Sequence, residues 1–326
     1  MKKVTILALD DASGTTITGP LDIFHLAGVL WNHSMNIKLN PQFEVEIVTT
    51  DGKPAKCLNR VFITPHKSID EVKETDLILI SSIVDIDKAL KRNGDAIDWL
   101  LKHHKNGADI GSVCTGAFFL AETGLLDYKK ATTHWGYINE FRKRYPKVNL
   151  IPERMVTDEG SVLCSGASNA CFDLSVYLVE KYCGHEIAVQ CAKAFIHDMG
   201  RTLQTPYTAF KSQKNHSDEL VINIQAHIEN NFKSPFKIEE VSKDYGVGRR
   251  TLERRFKTAT GDSPTAYLQR VRVEAAKRFL ETNNKSFEEI TWDIGYEETS
   301  FFRKVFKKHT GLTPGQYKSK FQRMVI

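Results

Sequence analysis

The sequence predicts two domains, an α/β domain built on a mostly parallel sheet and then an all-helical domain, and three observations carry that expectation. The chain has 326 residues, more than one ordinary core of roughly 150 residues holds. Short β-rich runs alternate with helical patterns as far as residue 197, and after residue 217 strand signals cease. A hydrophobic fraction of 41% with 26% charged residues is that of a globular chain with a sizeable core, not of a disordered one.

The first element is the apolar run 4–9, closed by Asp10 and Asp11; it reads as a buried strand rather than a secretory leader. Residues 43–49 and 77–80 are further β-rich runs, and helical spacing fills 19–30, 87–104, 117–123 and 168–182. Alternation of this kind places helices over a sheet. The stretch 199–217 is polar and turn-prone, with Gly200, Pro206 and Asn215, and reads as a linker between domains at 1–198 and 218–326. Helical periods then follow one another at 218–231, 238–245, 249–259, 264–281, 287–294 and 299–309.

No run approaches the roughly 18 apolar residues of a membrane helix. The six cysteines (57, 114, 164, 171, 183 and 191) form no C-x-x-C pair and have no histidine at zinc spacing. These features point to a reduced, cytoplasmic setting with no membrane partner, no metal and no cofactor. Charge is asymmetric. From Asp218 on, Lys and Arg outnumber Asp and Glu 20 to 15, whereas residues 1–217 balance at 25 to 25, so the whole net charge of +5 sits in the last third.

Two stretches of that last third share one layout. Ile238 to Tyr245, Gly246-Val247-Gly248 and Arg249 to Lys257 give helix, glycine turn, helix; Phe287 to Ile294, Gly295-Tyr296-Glu297-Glu298 and Thr299 to Lys308 repeat it. A glycine after the first helix admits the left-handed backbone of a sharp turn. Leu252 and Phe256, like Phe302 and Phe306, are four apart and pack inward together. Arg249, Arg250, Glu253, Arg254 and Lys257 remain outward in the first copy, a cationic face suited to a major groove, and Arg303, Lys304, Lys307 and Lys308 take that part in the second. The ending Gly261-Asp262-Ser263-Pro264-Thr265-Ala266-Tyr267 recurs as Gly311-Leu312-Thr313-Pro314-Gly315-Gln316-Tyr317. A single amphipathic helix with basic residues is most simply a solvated face; a repeated unit shifts the weight to nucleic acid.

Residues 250–256, Gly261-Asp262-Ser263-Pro264, Gly295-Tyr296 and residues 306–314 resemble the AraC/XylS family of transcription regulators, over about 218–321. The resemblance implies a double helix-turn-helix domain whose two second helices enter successive major grooves of double-stranded DNA, joined by the long helix at 264–281. At about 1.5 Å per residue that helix spans almost 30 Å, compatible with grooves about 34 Å apart. It also implies Arg250, Glu253 and Arg254 as base-facing residues of the first unit, and Thr299, Ser300, Arg303 and Lys304 as those of the second.

In the first domain the sharpest feature is residues 108–121, where a β-like segment runs through Ser112-Val113-Cys114-Thr115-Gly116 into a helix. Such an elbow is expected to expose Cys114 at a helix N-terminus that favours a thiolate, and His134, twenty residues on, is a candidate proton acceptor. The same letters fit a buried structural cysteine. Ser112-Val113-Cys114-Thr115-Gly116, Ala131-Thr132-Thr133-His134-Trp135 and Cys164-Ser165-Gly166-Ala167 resemble the ThiJ/PfpI, glutamine-amidotransferase-like superfamily, over about 3–197. That resemblance implies a doubly wound, flavodoxin-like sheet with a pocket near Cys114 at the strands' carboxyl ends. It covers hydratases and proteases as well as the sensor halves of regulators.

Two departures from the enzymes stand out. Where they carry a carboxylate just before Thr18-Gly19-Pro20, this chain has Thr15-Thr16-Ile17; where they carry glycines after the strand at 77–80, it has Ser81-Ser82-Ile83. The expectation is therefore a regulator, not an enzyme, in which Cys114, Thr115, His134, Ser81, Ser82 and Thr16 line a pocket for a small-molecule effector. Pairing into a homodimer through the first domain follows from the resemblance; a thiol-dependent hydratase or amidase tethered to DNA is the alternative. His25, His33, His66, His103, His104, Trp31, Trp135 and the Arg142-Lys143-Arg144 cluster read as packing or solvated residues.

Overall fold

The computed structural model describes residues 1–210, 212–214, 216–282 and 285–322. They fall into two compact units, Met1–Gln204 and Thr205–Ile326. The first unit runs β1 (Lys2–Leu7), α1 (Thr15–Leu26), α2 (Leu30–Ser34), β2 (Phe43–Thr49), β3 (Ala55–Lys56), β4 (Phe62–Ile63), β5 (Lys67–Ser68), β6 (Leu77–Ile80), α3 (Ile86–Arg92) and α4 (Asp95–Lys105). It continues through β7 (Asp109–Val113), α5 (Gly116–Glu122), β8 (Lys130–Ala131), α6 (Ile138–Arg144), β9 (Asn149–Leu150), β10 (Val156–Asp158), β11 (Val162–Ser165), α7 (Ala170–Cys183) and α8 (His185–Ala194).

Seven strands make one sheet in the order β10-β11-β7-β6-β1-β2-β5, and only β10 runs antiparallel to its neighbour. Strand residues alternate between two apolar layers. Val4, Ile6, Leu79, Val113 and Leu163 pack with α1, α7 and α8, while Leu7, Ile78, Ile80, Ile110 and Val162 pack with α4, α5 and α6. Both faces are covered, which is why β6 reads as an unbroken apolar run. The chain leaves β1 towards β2 and β5, then returns to β6 on the other side. The order therefore reverses between β1 and β6, and the crevice at their carboxyl ends is where α/β sheets of this doubly wound, flavodoxin-like kind place ligands.

Two expected helices come out divided. The pattern at 19–30 becomes α1, which starts earlier, and the separate α2. The pattern at 87–104 breaks at buried Asn93, whose amide donates to Ala89 O at 2.9 Å and so ends α3 before Gly94.

The second unit contains α9 (Glu219–Asn231), α10 (Ile238–Asp244), α11 (Arg249–Thr260), α12 (Pro264–Thr282), α13 (Phe287–Asp293), α14 (Thr299–Thr310) and α15 (Pro314–Phe321). Its core has two halves, and α12 serves both. Tyr267 and Leu268 join Ile224, Ile228, Leu252 and Phe256, whereas Val273, Ala276 and Leu280 join Ile290, Phe302, Phe306 and Tyr317. The repeat holds down to single hydrogen bonds. Thr260 Oγ1 donates to Phe256 O and Thr310 Oγ1 to Phe306 O; left-handed Gly261 and Gly311 end the second helices at φ +80° and +76°; the Tyr267 hydroxyl donates to Glu229 and the Tyr317 hydroxyl to Glu281.

The stretch expected as a linker, 199–217, is shared between the units and well partnered where it is described. Residues 202–204 add to the first unit through an Arg154–Leu203 bridge and Gln204 N–H to Glu153 O at 2.9 Å. Pro206 is buried in the second unit, where Phe210 N–H donates to Glu274 at 3.2 Å.

Candidate nucleic-acid interface and sensor site

Each second helix buries one stripe and presents the other. In α11, Leu252, Phe256 and Thr260 face the core, and Arg250, Arg254 and Lys257 are exposed with no described ion pair. Arg249 is also exposed but engaged, with Nε on Glu253 Oε1 at 3.0 Å and Nη1 on Glu239. Arg255 is drawn off this face by Asp218, the cap of α9, through a two-toothed pair at 2.9 and 2.7 Å. That pairing holds the Asp218 carboxyl below the usual range.

In α14, Phe302, Val305, Phe306 and Thr310 turn inward. Ser300, Arg303 and Lys304 are exposed and Thr299 is half-buried. Arg303 lies over the Phe287 ring at 5.3 Å and 3.8 Å from Glu288; the Ser300 hydroxyl donates to Glu298. Two aromatic residues on this unit escaped the sequence reading: Phe301 is 47% exposed on α14 and Trp292 is 64% exposed on α13. The Phe301-Phe302 doublet was the available signal, because successive helix residues point about 100° apart and the inward stripe set by Phe302, Val305 and Phe306 leaves Phe301 outside it.

Of the residues expected to line a pocket, Ser81 and Ser82 follow β6, Cys114 and Thr115 follow β7, and Thr16 opens α1 after β1, where it meets Ser82. Cys114 follows β7 with φ +59°, a left-handed conformation unusual for a side chain with a Cβ, and Gly116 makes the elbow possible: a Cβ there would come within 2.6 Å of Ser81 O. Thr133 Oγ1 donates to Cys114 O at 3.0 Å, and Cys114 N–H donates to Ser165 O at 3.0 Å. The elbow does not expose its cysteine. Cys114 is 5% exposed, and burial pushes its thiol up, with the Ser168 hydroxyl, 3.8 Å from Sγ, pulling the other way. Desolvation outweighs the hydrogen bonds from Ser168 and Thr115 here.

His134 lies next to Thr133 in the chain. Its Nδ1 accepts Gly136 N–H at 3.1 Å, and its ring stacks on Trp135 with centroids 5.2 Å apart. The hydroxyls at the crevice serve one another. Thr16 Oγ1 lies 3.1 Å from Ser82 Oγ and accepts Ser82 N–H at 3.2 Å; Ser81 Oγ accepts Leu9 N–H and Ser82 Oγ accepts Ser13 N–H, both at 3.0 Å. Thr115 Oγ1 accepts Ile83 N–H at 3.0 Å and donates to Ile83 O. Two backbone amides after β6, those of Ser82 and Ile83, are thus taken by threonine oxygens.

A second buried polar group lies away from Cys114. Asp173 in α7 receives Arg201 at 3.1 and 2.6 Å and sits 3.6 Å from His197 Nε2. Burial raises its carboxyl against the pull of Arg201. Arg154, Tyr177, Met199 and Thr202 help these residues line a cavity of about 240 Å³. Among the described residues all six cysteines are free thiols, no cluster of three or more His, Cys, Asp or Glu could hold a metal, and no helix is long and apolar enough to cross a membrane.

A flavodoxin-like domain that carries a cysteine elbow, followed by a double helix-turn-helix, defines the class of protein. The DJ-1/PfpI family model matches residues 2–181 and the helix-turn-helix domain model matches 241–320. The chain belongs to the DJ-1/PfpI family and carries an AraC-type helix-turn-helix domain. It is 26% identical to the HTH-type transcriptional regulator CdhR of Pseudomonas aeruginosa, over 83% of this chain and 80% of that one. It is 25% identical to the regulator GlxA of Rhizobium meliloti, over 68% and 71%. Among solved structures, a putative transcriptional regulator from Vibrio parahaemolyticus superposes with a TM-score of 0.52 at 23% identity, covering 59% of this chain and 97% of that one. Drosophila melanogaster DJ-1beta superposes with a TM-score of 0.51 at 17% identity, covering 60% and 98%.

Proposed function

We propose that this chain regulates transcription by reading DNA with α11 and α14 while its DJ-1/PfpI domain senses a small metabolite. The observation that carries the reading is the repeated helix pair with its basic, outward second helices. Arg250, Glu253 and Arg254 read bases in one groove; Arg249 and Lys257 flank them; Thr299, Ser300, Arg303 and Lys304 read the next. Arginine suits guanine because its planar fork meets two acceptors at once, and Glu253 suits cytosine N4. Phe301 adds an apolar contact of the kind that fits a thymine methyl.

The effector acts from the shell of Cys114, Thr115, His134, Ser81, Ser82 and Thr16, by favouring one of two states of the chain through unequal affinity. The occupied amides after β6 favour sensing over thiol catalysis. The protein works in the cytoplasm as a homodimer paired through its first domain, which doubles the DNA elements bound. Affinities for a selected site and all its single-base variants test the readout: Arg254→Ala is expected to cost about 1–3 kcal/mol at one base pair. Equal weakening on every variant would make Arg254 a phosphate contact instead. Turnover of a small carbonyl or amide substrate by the full chain, lost in Cys114→Ser, would overturn the sensor assignment.

A further inference from the structure

Gln204 is the last residue of the first unit, and it is only 1% exposed within an otherwise polar stretch. Its Nε2 donates to Thr132 Oγ1 and Thr133 O at 3.0 Å and to Arg154 O at 3.3 Å. Two of the three partners are backbone carbonyls, which only accept, so the amide is oriented by its surroundings. The other end, Oε1, is buried with no hydrogen-bond partner among the described residues. It lies where a Cβ on Gly166 would come within 2.7 Å of it.

Both neighbours of this side chain hold the cysteine elbow. Thr133 grips the Cys114 carbonyl from one side; Gly166 follows Ser165, whose carbonyl accepts the Cys114 amide. The backbone here is fastened as well, by Met155 N–H to Thr202 O at 2.9 Å and by the Arg154–Leu203 bridge. Residues immediately beyond Gln204 are fastened to something else. Pro206 is buried in the second unit, Lys277 donates to Thr208 O, and Phe210 N–H donates to Glu274, two anchors on the α12 helix that joins the reading units. Only Thr205 lies between Gln204 and Pro206, and one residue spans at most about 3.6 Å, so the covalent connection is short.

We propose that Gln204 is a latch, the positioning residue through which a change at the Cys114 elbow reaches α12 and the DNA-reading helices. This rests on the regulator reading above. Its grip is one-sided: two N–H donors are shared among three acceptors, and an unpaired buried acceptor raises the energy of the latched state, so a modest shift of Thr133 or Gly166 releases it.

The test uses the full chain, a duplex selected from random sequence by the wild type, and the variants Gln204→Ala, Gly166→Ala and their combination. Gly166→Ala puts a methyl where the amide lies; Gln204→Ala removes that obstacle. Hydrogen exchange at the Met155 and Gln204 amides is expected to rise about tenfold in each single variant, and DNA affinity to change about tenfold in one shared direction. In the Gln204→Ala background, Gly166→Ala is expected to add nothing. Gln204→Leu, which keeps the bulk and loses the donors, provides the same readout if Gly166→Ala fails to fold.

An opened connector with unchanged DNA affinity overturns the latch, and so do single effects that simply add. A wild type that selects no DNA sequence overturns the regulator reading itself.

Discussion

At Cys114 backbone and side chain make opposite demands. The elbow holds φ +59°, a conformation that costs a residue with a Cβ, yet the surrounding chain buries the sulfur and leaves the residue 5% exposed. Because burial raises the thiol, iodoacetamide should label Cys114 slowly at neutral pH, with a rate that keeps climbing beyond the ordinary thiol range near pH ~8.5. A rate that levels off below neutrality would mean a stabilised thiolate and revive the case for catalysis. The sequence made the elbow legible through Cys114-Thr115-Gly116, but not the fate of its hydroxyls. Thr16, Ser81 and Ser82 look alike whether they meet a ligand or one another, and here they bond to one another and to nearby backbone amides. Gln204 was hidden for a related reason: its partners lie 50 to 72 residues away, and a polar letter in a turn-rich stretch carries no trace of them.

At the scale of elements, α9 to α14 were readable almost to the residue because their cores demand apolar side chains at helical spacing, as Leu252 with Phe256 and Phe302 with Phe306 show, whereas the short α15, which buries only Pro314 and Tyr317, was not expected. The edge strands β5 and β10 were not, being two and three residues long with no alternation to display. The repeat makes its departures informative. His309 on α14 stands where α11 has Ala259, and its buried Nε2 has no hydrogen-bond partner among the described residues. Burial lowers its pKa, Arg270 and Lys308 lower it further, and Asp262 acts against them. A folded value below the ordinary one gives stability that is present above about pH 6.5 and lost as pH falls through the folded value. Protection factors of the Phe302 and Phe306 amides, with the slower intrinsic exchange at acid pH divided out, should therefore fall between pH 7 and pH 5, and His309→Gln should flatten that dependence. An unaltered slope in the variant would assign the acid sensitivity elsewhere. Gly261 offers a second check on the repeat: at φ +80° a Cβ is strained, so Gly261→Ala should destabilise the unit by about 1 kcal/mol in urea melts.

For the whole molecule, charge and geometry divide the work. All of the +5 excess lies from Asp218 on, while residues 1–217 are balanced, so attraction to phosphate belongs to the second unit. Releasing counterions makes log affinity fall with log salt by about 0.9 per phosphate neutralised. In the full chain Lys257→Gln and Lys304→Gln should each lower that slope by about one contact, whereas Lys143→Gln on α6 of the first unit should leave it unchanged. The α12 helix of 19 residues spans about 28 Å and packs into both halves of the unit, a length compatible with readers one turn of duplex apart. Inserting about five base pairs, a half turn, between the two halves of a selected site rotates one half to the opposite side of the DNA. One chain with a rigid, shared α12 cannot follow that rotation, so specific binding should collapse to the salt-dependent, sequence-independent level. Retained specific affinity on the inserted site would mean that the two helices read DNA on separate chains or that only one of them reads it. The Lys257 and Lys304 slopes separate those cases, because a helix that never meets DNA contributes no slope.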